Sequence, residues 1–304
     1  MTLLGGALTL AALGTAALPM CREARRSPIA ALRDAAPGGF AKLPSGTTHY
    51  QWFGPESGPV TVCIHGLTTP SFVWQGLVPH LVKAGQRVLT YDLYGRGYSD
   101  APRGAQTPAF FIRQLTELLA HVQVPAPVTL IGYSMGGAIA ACMAAQAPER
   151  IARLVLLAPA GMGHDLGSLS RRAAQVPLIG DWLFHMAYPG ILHTGIESER
   201  GTPGSVPDIA DQQLFQLTRR GYLRAVLSSL RGQLARPLED EHCRIARAGT
   251  PVLAIWGRDD SVIPIRAMGT LAQWNRSAHQ EVIAGAGHGL TYTHTPQVAR
   301  AILA

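Results

Sequence analysis

The run GYSMG at residues 132–136 places Ser134 between an apolar run typical of a buried strand and an alanine-rich run typical of a helix. A serine at such a strand-to-helix turn exposes its Oγ atom, and glycines on either side tolerate the crowding. The hydroxyl is a poor nucleophile at neutral pH, so it needs a base within hydrogen-bond reach and a carboxylate that orients the base. The chain must supply both groups if Ser134 is to attack a substrate.

Two further polar groups lie downstream of Ser134, each directly after an apolar run. The sequence GRDD stands at 257–260 and the sequence GAGHG at 285–289. Catalytic side chains of open parallel sheets lie in the loops that follow the strands, so we expect both groups near Ser134. We therefore predict His288 as the base and an aspartate of the GRDD run as the carboxylate that orients it.

The same chemistry needs hydrogen-bond donors for a developing negative charge. Nucleophilic attack on an ester carbonyl leaves this charge on the carbonyl oxygen, and preorganised backbone N–H groups stabilise it. Met135 directly follows the serine, at the start of the predicted helix. Its N–H group is therefore one predicted donor of an oxyanion hole.

Buried strands alternate with helical patterns from about residue 47 onward, which predicts an α/β fold with a mostly parallel central sheet flanked by helices. Thr107 and Pro108 predict the start of one helix, because threonine is a common N-cap residue and proline fits the first turn. Six continuously apolar runs are predicted as strands covered on both faces: 60–66, 87–97, 127–134, 153–161, 251–257 and 280–288.

The interval 162–248 breaks this alternation, because it has helical periodicity, scattered prolines and no convincing buried strand. We interpret it as a helical insertion in a core made of 47–161 and 249–304, with 22–46 as a linker. Within the insertion, 214–234 predicts one long amphipathic helix or two short ones. We interpret four arginines on its polar side as a solvent-exposed basic face rather than an anion site: Arg219, Arg220, Arg224 and Arg231.

Composition excludes several classes of protein. The 304-residue chain is 47% hydrophobic and 15% charged, which is apolar enough for a large core and unlike a disordered protein. The net charge of +7 comes mainly from scattered arginines, without the long basic block of a nucleic-acid surface. The four cysteines lie far apart and lack the spacing of metal ligands. We therefore predict no nucleic-acid partner, no metal and no cofactor.

The segment 1–21 carries no charged side chain, and the arginine-rich run 22–26 follows it. Its length is marginal for a transmembrane helix, and it lacks the positive start of a signal peptide. Arginines after an apolar stretch favour keeping that flank in the cytoplasm. We therefore favour membrane association through 1–21. The alternatives are the cleaved leader of a secreted or periplasmic protein, a misassigned start codon and a cytoplasmic location.

Five short blocks follow one another along the chain: HG at 65–66, DLYGRGYSD at 92–100, GYSMGG at 132–137, GRDDSVIP at 257–264 and GAGHG at 285–289. In these blocks and their order, the chain from about Gly58 to its C-terminus resembles the α/β-hydrolase family. The resemblance implies Ser134 as nucleophile, His288 as base and an aspartate as the third member of a catalytic triad. It also implies a helical cap domain inserted after the strand that ends near Ala158.

The family pattern also implies which aspartate acts and where the second oxyanion donor lies. In the family, the acid usually stands three residues after a glycine and four before a proline, as Asp260 does between Gly257 and Pro264. The resemblance therefore implies Asp260 rather than its neighbour, with Asp165 as a weaker candidate. It implies the Leu67 N–H group as the second donor.

The loop after the HG block lacks an HGGG run, so it resembles the oxyanion loop with a single variable residue after the glycine. Relatives with that kind of loop act on many acyl esters, including long-chain ones. The chain looks like a serine esterase or lipase, such as a monoacylglycerol lipase or a related carboxylesterase. This resemblance implies hydrolysis of carboxylic esters through an acyl-enzyme, with a small-molecule or lipid ester as the expected partner. The sequence indicates no particular oligomeric state.

Other activities on this scaffold stay open. One alternative is a carbon–carbon bond hydrolase of the meta-cleavage type. The resemblance to that type implies an asparagine directly before the serine and a tryptophan directly after the histidine, where this chain has Tyr133 and Gly289. Epoxide hydrolases and haloalkane dehalogenases use an aspartate nucleophile in place of Ser134. A thioesterase or perhydrolase would keep the same triad. A non-catalytic ligand-binding protein is a further alternative, because a fold does not fix a function.

Overall fold

Short apolar runs form the central strands of an eight-stranded sheet. The structure is a computed structural model that describes residues 14–34, 36–164 and 167–304. In chain order the strands are β1 (Gly39–Leu43), β2 (Gly46–Phe53), β3 (Val60–Ile64), β4 (Arg87–Tyr91), β5 (Val128–Tyr133), β6 (Ile151–Leu157), β7 (Val252–Gly257) and β8 (His279–Ile283). Across the sheet, their order is β1-β2-β4-β3-β5-β6-β7-β8.

The strands from β3 to β8 run parallel, which confirms the predicted α/β class with a mostly parallel sheet. The strands from β3 to β7 are buried over most of their length, as expected of strands covered on both faces. The chain order reverses between β3 and β5, which pair with each other. A ligand of an open parallel sheet binds beyond the carboxyl ends of the strands at such a reversal.

Helices flank the sheet. In chain order they are α1 (14–24), α2 (Val78–Lys83), α3 (Pro108–His121), α4 (Met135–Gln146), α5 (Ser168–Gln175), α6 (Ile179–Glu199), α7 (Ile209–Phe215), α8 (Tyr222–Arg231), α9 (Glu239–Ala248), α10 (Arg266–Trp274), α11 (Leu290–Thr293) and α12 (Thr295–Leu303). The helix α3 begins at Pro108 after the N-cap residue Thr107, as the sequence predicts.

The helix α4 lies close to the sheet because glycines occupy the tightest contacts. A Cβ atom at Gly136 would lie 1.9 Å from the carbonyl oxygen of Ile64 on β3. A Cβ atom at Gly132 on β5 would lie 2.4 Å from the carbonyl oxygen of Gly136. Any larger residue would push α4 away, so these glycines set the distance between β3, β5 and the start of α4.

Among the described residues between β6 and β7 stand the α-helices α5 to α9. The helices α5, α6 and α8 pack on one another, whereas α9 packs against α4 and α10 beside the sheet. The predicted boundaries of the core and the cap at 162–248 stay predictions. The helix α9 lies within the predicted cap range but packs against helices of the core. We call the helices α5 to α8 the cap helices.

The sheet has two strands that the sequence did not predict. The strand β1 lies within 22–46, which was predicted to be a linker, and β2 overlaps its end. Both strands pair antiparallel at one edge of the sheet, and residues of intermediate or full exposure interrupt their buried positions. Such a pattern lacks the continuous apolar run of the strands from β3 to β7, so the sequence did not predict them.

The predicted basic face on 214–234 is wrong at Arg219, which is 1% exposed. The helix α7 ends at Phe215, a short 3₁₀ helix covers Gln216–Thr218, and α8 begins only after Gly221 at φ 88°. This break turns Arg219 inward, where its Nη2 donates to the Ser99 carbonyl at 3.0 Å.

The favoured membrane association through 1–21 is also wrong on this structure. Among the residues described, none of the helices has the length and apolar character needed to cross a membrane. The described part of the helix α1 is residues 14–24. It contacts α6 and the segment before α8, because Trp182 Nε1 donates to the Thr15 carbonyl and Arg220 Nη2 to the Ala24 carbonyl. The remainder of the segment, 1–13, lies outside the described residues.

Candidate active site

Ser134 occupies a strained turn between the end of β5 and the first residue of α4. Its backbone angles are φ 54° and ψ −118°, a combination that L-residues rarely adopt. The Ser134 N–H donates to the Leu157 carbonyl at 2.9 Å, and the Ser134 carbonyl accepts the N–H of Gly137 at 3.0 Å and of Ala160 at 3.1 Å. Hydrogen bonds to Leu157, Gly137 and Ala160 therefore hold the serine at the strand-to-helix turn that the GYSMG run predicted.

His288 joins the other two predicted triad members. Its Nε2 lies 3.0 Å from Ser134 Oγ, and its Nδ1 lies 2.8 Å from Asp260 Oδ2. Because an ionised carboxylate only accepts hydrogen bonds, Nδ1 carries the proton and Nε2 is free to accept the serine proton. The three side chains thus form a continuous hydrogen-bonded chain from Ser134 to Asp260.

The loop after β7 distinguishes the two neighbouring aspartates. Asp260 is 5% exposed, and its Oδ1 accepts the N–H groups of Val262 at 2.8 Å and Ile263 at 2.7 Å. These bonds turn Oδ2 toward His288. Asp259 is exposed to solvent and makes no side-chain hydrogen bond within the described part of the chain. Asp165, the weaker candidate, lies outside the described residues.

Tyr133 supports the histidine from the strand side. Its hydroxyl donates to the His288 carbonyl at 3.0 Å, and the two rings lie 5.3 Å apart between centroids. Burial raises the pKa of Tyr133 well above its ordinary value, so the phenol keeps the proton that it donates. Sequence reasoning used Tyr133 only to judge a relative's pattern and missed this contact.

His65 orients the peptide that carries the predicted Leu67 donor. His65 Nε2 accepts the Leu93 N–H at 2.9 Å, so Nδ1 carries the proton and donates to the Gly66 carbonyl at 2.8 Å. Burial lowers the pKa of His65 to about 4 and keeps the ring neutral. Because the C=O and N–H of a trans peptide point in opposite directions, this bond turns the Leu67 N–H away from His65.

The two predicted oxyanion donors flank the serine. Leu67 follows β3, and a Cβ atom on its neighbour Gly66 would lie only 3.4 Å from Ser134 Cβ. Met135 is the first residue of α4, and the N–H groups of a first helical turn lack partners within the helix. The chain thus brings both residues beside Ser134, and their role as donors stays a prediction.

A cavity of about 450 Å³ opens over Ser134 and His288, and we call it the serine cavity. On the side of the cap helices its wall carries six apolar side chains beside polar ones such as Ser198, Glu199 and Gln213; the apolar ones are Tyr188, Ile191, Leu192, Ile196, Leu230 and Leu234. Among the described residues that line it, none is a lysine or an arginine. The wall therefore suits an uncharged apolar group next to the nucleophile.

A second cavity, of about 480 Å³, adjoins the first on the side of His288, and we call it the histidine cavity. The two cavities share six residues in their walls: Ile196, Glu199, Gln213, His288, Gly289 and Tyr292. Ser134 is absent from the described lining of the histidine cavity. Sequence reasoning missed Glu199, Gln213 and Tyr292, although Tyr292 follows His288 by four residues and so stands near it in the chain.

Asp92, the first residue of the DLYGRGYSD block, is buried and holds the loop that follows it. Its carboxylate lies 2.7 Å from His49 Nδ1 and accepts the N–H groups of Ser71 at 3.0 Å and Tyr98 at 2.9 Å. It therefore fixes the loop after β4 instead of facing the serine. In the described part of the chain, no group of three or more His, Cys, Asp and Glu side chains could hold a metal ion.

Known proteins resemble this chain over most of its length. A family model described as the alpha/beta hydrolase fold matches residues 59–178 and 213–295. An uncharacterized protein of Mycobacterium tuberculosis is 29% identical over 253 residues, which cover 76% of this chain and 70% of that protein. A 2-hydroxymuconate semialdehyde hydrolase of a Pseudomonas strain is 25% identical over 245 residues, which cover 74% of this chain and 78% of that protein.

A solved structure shares the same fold. The enol-lactonase from Burkholderia xenovorans LB400 superposes with a TM-score of 0.71 at 22% sequence identity, covering 87% of this chain and 98% of that chain. The residues matched by the family model include all five sequence blocks, from HG at 65–66 to GAGHG at 285–289, and leave out the middle of the cap region. The chain therefore belongs to the α/β-hydrolase family.

Proposed function

We propose that the protein is a serine hydrolase that cleaves carboxylic esters through an acyl-enzyme intermediate. The observation that carries this proposal is the position of His288, within hydrogen-bond distance of both Ser134 Oγ and Asp260 Oδ2. A nucleophile, its base and an orienting carboxylate are the parts that acyl transfer by serine needs. The strained turn at Ser134 adds support, because backbone strain is often stored at functional sites.

In the proposed reaction, Ser134 Oγ attacks the acyl carbonyl while His288 Nε2 takes the serine proton. Asp260 holds the Nδ1–H group and stabilises the imidazolium that forms. The N–H groups of Leu67 and Met135 donate to the oxyanion of the tetrahedral intermediate. As the carbon–oxygen bond breaks, His288 returns its proton to the leaving alcohol. Water then attacks the acyl-serine through the same base and releases the acid.

The two cavities suggest which half of the ester goes where. The leaving oxygen must lie near His288 Nε2 to receive its proton, so the alcohol half belongs in the histidine cavity. The acyl half stays bonded to Ser134 and extends along the apolar wall of the serine cavity. We therefore propose small-molecule or lipid-like esters that combine an uncharged apolar acyl group with a polar alcohol.

The proposal is tested with a ladder of p-nitrophenyl esters, from acetate to palmitate, hydrolysed by the full chain. We expect turnover that Ser134→Ala lowers by several orders of magnitude. The matched control is Ser170→Ala, which removes another buried serine of the same cavity wall and should keep activity within about twofold. Ester turnover that survives in Ser134→Ala would refute the proposed nucleophile.

The second candidate function is carbon–carbon bond hydrolysis of the meta-cleavage type. Its support is the 25% identity to the 2-hydroxymuconate semialdehyde hydrolase, which spans 74% of this chain. Tyr133 and Gly289 argue against it, because the pattern of that type has asparagine at the position of Tyr133 and tryptophan at the position of Gly289. Its test is a parallel assay with 2-hydroxymuconate semialdehyde. Turnover of this compound without turnover of any ester would favour the second candidate, and turnover of neither would favour a non-catalytic binding protein.

A further inference from the structure

Arg96 is a fully buried arginine in the loop after β4, and every one of its N–H groups is engaged. A guanidinium carries five N–H donors. Here they reach five acceptors in three parts of the chain: the Leu67 carbonyl, the Tyr94 carbonyl, Gln106 Oε1, the Ala225 carbonyl and Ser229 Oγ. Burial lowers the pKa of Arg96 to about 10, so the side chain keeps its positive charge near neutral pH.

The acceptors of Arg96 connect the predicted oxyanion loop to the cap helices. Its Nε donates to the Leu67 carbonyl at 3.1 Å. Its Nη2 donates to Ser229 Oγ at 2.8 Å and to the Ala225 carbonyl at 3.3 Å, both on α8. One rigid, planar group therefore spans the distance between the loop at Leu67 and the helix α8.

The two peptides on either side of the Leu67 Cα atom are thus each held by a buried side chain. His65 Nδ1 donates to the Gly66 carbonyl, which belongs to the same peptide as the Leu67 N–H. Arg96 Nε donates to the Leu67 carbonyl, which belongs to the next peptide. Fixing both peptide planes fixes the φ and ψ angles of Leu67, and with them the direction of its N–H.

We propose that Arg96 is a positioning residue for the oxyanion donor at Leu67, and that α8 holds Arg96 in place through Ser229. This inference rests on the proposed function. Arg96 is absent from the described lining of the serine cavity and acts only through the Leu67 peptide. A shift of α8 moves the guanidinium and so alters the donor geometry, which links the cap helices to the stabilisation of the transition state.

The test uses three variants of the full chain. Arg96→Lys keeps the charge but loses the planar fork. Ser229→Val removes the Oγ acceptor of Arg96 and places a methyl group there. The matched control is Ser228→Val, the same substitution one residue earlier on α8. Ser228 Oγ contacts the Gln106 N–H and the Gly104 carbonyl and does not contact Arg96.

Each variant is assayed for kcat and KM on p-nitrophenyl butyrate and for inhibition by a trifluoromethyl ketone and by butyrate. The ketone forms a tetrahedral adduct with the serine and so presents an oxyanion, whereas butyrate measures ordinary binding. We expect Arg96→Lys to lower kcat and the affinity for the ketone together, by about tenfold or more. Ser229→Val should lower both by a smaller factor, and KM and butyrate affinity should stay within about twofold for both variants.

Two outcomes overturn the inference. One is a folded Arg96→Lys protein with wild-type kcat and wild-type affinity for the ketone. The other is an equal loss of kcat and ketone affinity in Ser229→Val and Ser228→Val, which would indicate a general weakening of α8. This second comparison decides if Arg96→Lys does not fold. Failure of the proposed function is recognised separately, because wild-type protein would then hydrolyse no ester or Ser134→Ala would retain turnover.

Discussion

At the scale of single residues, the candidate site depends on how firmly His288 is oriented. Asp260 binds its Nδ1, Ser134 approaches its Nε2, and the Tyr133 hydroxyl donates to its carbonyl. Of these contacts, only the one with Asp260 selects the tautomer in which Nε2 can accept a proton. The aspartate therefore contributes through the histidine, and its own second oxygen is already occupied by the N–H groups of the next loop residues.

We expect Asp260→Asn to lower kcat for ester hydrolysis by about four orders of magnitude. The asparagine carbonyl can still accept the N–H groups of Val262 and Ile263, while its amide donates to His288 Nδ1 and forces the proton onto Nε2. Steady-state kinetics with p-nitrophenyl butyrate, together with circular dichroism to check folding, measures this effect.

The neighbouring aspartate is the natural control for that substitution. Asp259→Asn should keep kcat within about twofold, because its side chain faces solvent. If Asp259→Asn lost activity and Asp260→Asn kept it, the roles assigned to the two aspartates would be reversed.

At the scale of elements, the unit formed by β5, the turn at Ser134 and α4 determines where the nucleophile lies. We expect Gly136→Ala to destabilise the protein by about 2–3 kcal/mol, because its Cβ would lie 1.9 Å from the Ile64 carbonyl oxygen. Any surviving folded protein should also lose activity, since α4 would move the turn. Urea denaturation monitored by tryptophan fluorescence measures the change in the free energy of unfolding.

A second helical glycine serves as the control. Gly269 on α10 is exposed, and a Cβ atom added there would meet no atom within 4 Å among the described residues beyond its own stretch of helix. Gly269→Ala should therefore stabilise the protein by up to about 1 kcal/mol through helix propensity alone. Equal destabilisation by both substitutions would contradict the explanation from close packing.

The elements also show how far sequence reasoning reaches. The parallel strands β3 to β7 were predictable because burial on both faces leaves a continuous apolar run. The candidate triad residues could be proposed from the sequence because each follows a predicted strand. The edge strands β1 and β2 were missed, since their partly exposed residues leave no such run. The burial of Arg219 was missed because helical periodicity was extended across a break at Gly221 that only the fold reveals.

At the scale of the whole molecule, the proposed function assigns substrate choice and bond cleavage to different stretches of the chain. The sheet and its loops carry Ser134, Asp260 and His288, whereas α6 and α8 supply much of the apolar wall of the serine cavity. The contacts between cap helices and core were not predictable, because they join residues far apart in sequence. For the same reason, the acyl specificity could not be read from any local motif.

We expect Leu192→Trp, on the wall of the serine cavity, to shorten the preferred acyl chain. If the larger side chain displaces about three methylene groups, kcat/KM for decanoate should fall about 50-fold relative to acetate. The ester ladder measures this ratio directly.

The control is Leu183→Trp, on the same helix at a position that is 43% exposed. It should leave the chain-length profile unchanged, because Leu183 is not among the described residues that line the serine cavity. A profile that shifts equally in both variants would mean that α6 as a whole, and not the wall at Leu192, sets the acyl preference.

In the proposed reaction, the meeting of the two cavities at His288 affects the fate of the acyl-enzyme. Once the first alcohol has left, the histidine cavity is vacant while the acyl group still occupies the serine cavity. A second alcohol that enters there finds the same base that would activate water, and it competes for the acyl group. The arrangement therefore favours acyl exchange between alcohols, with new esters formed at the expense of free acid as the concentration of the added alcohol rises.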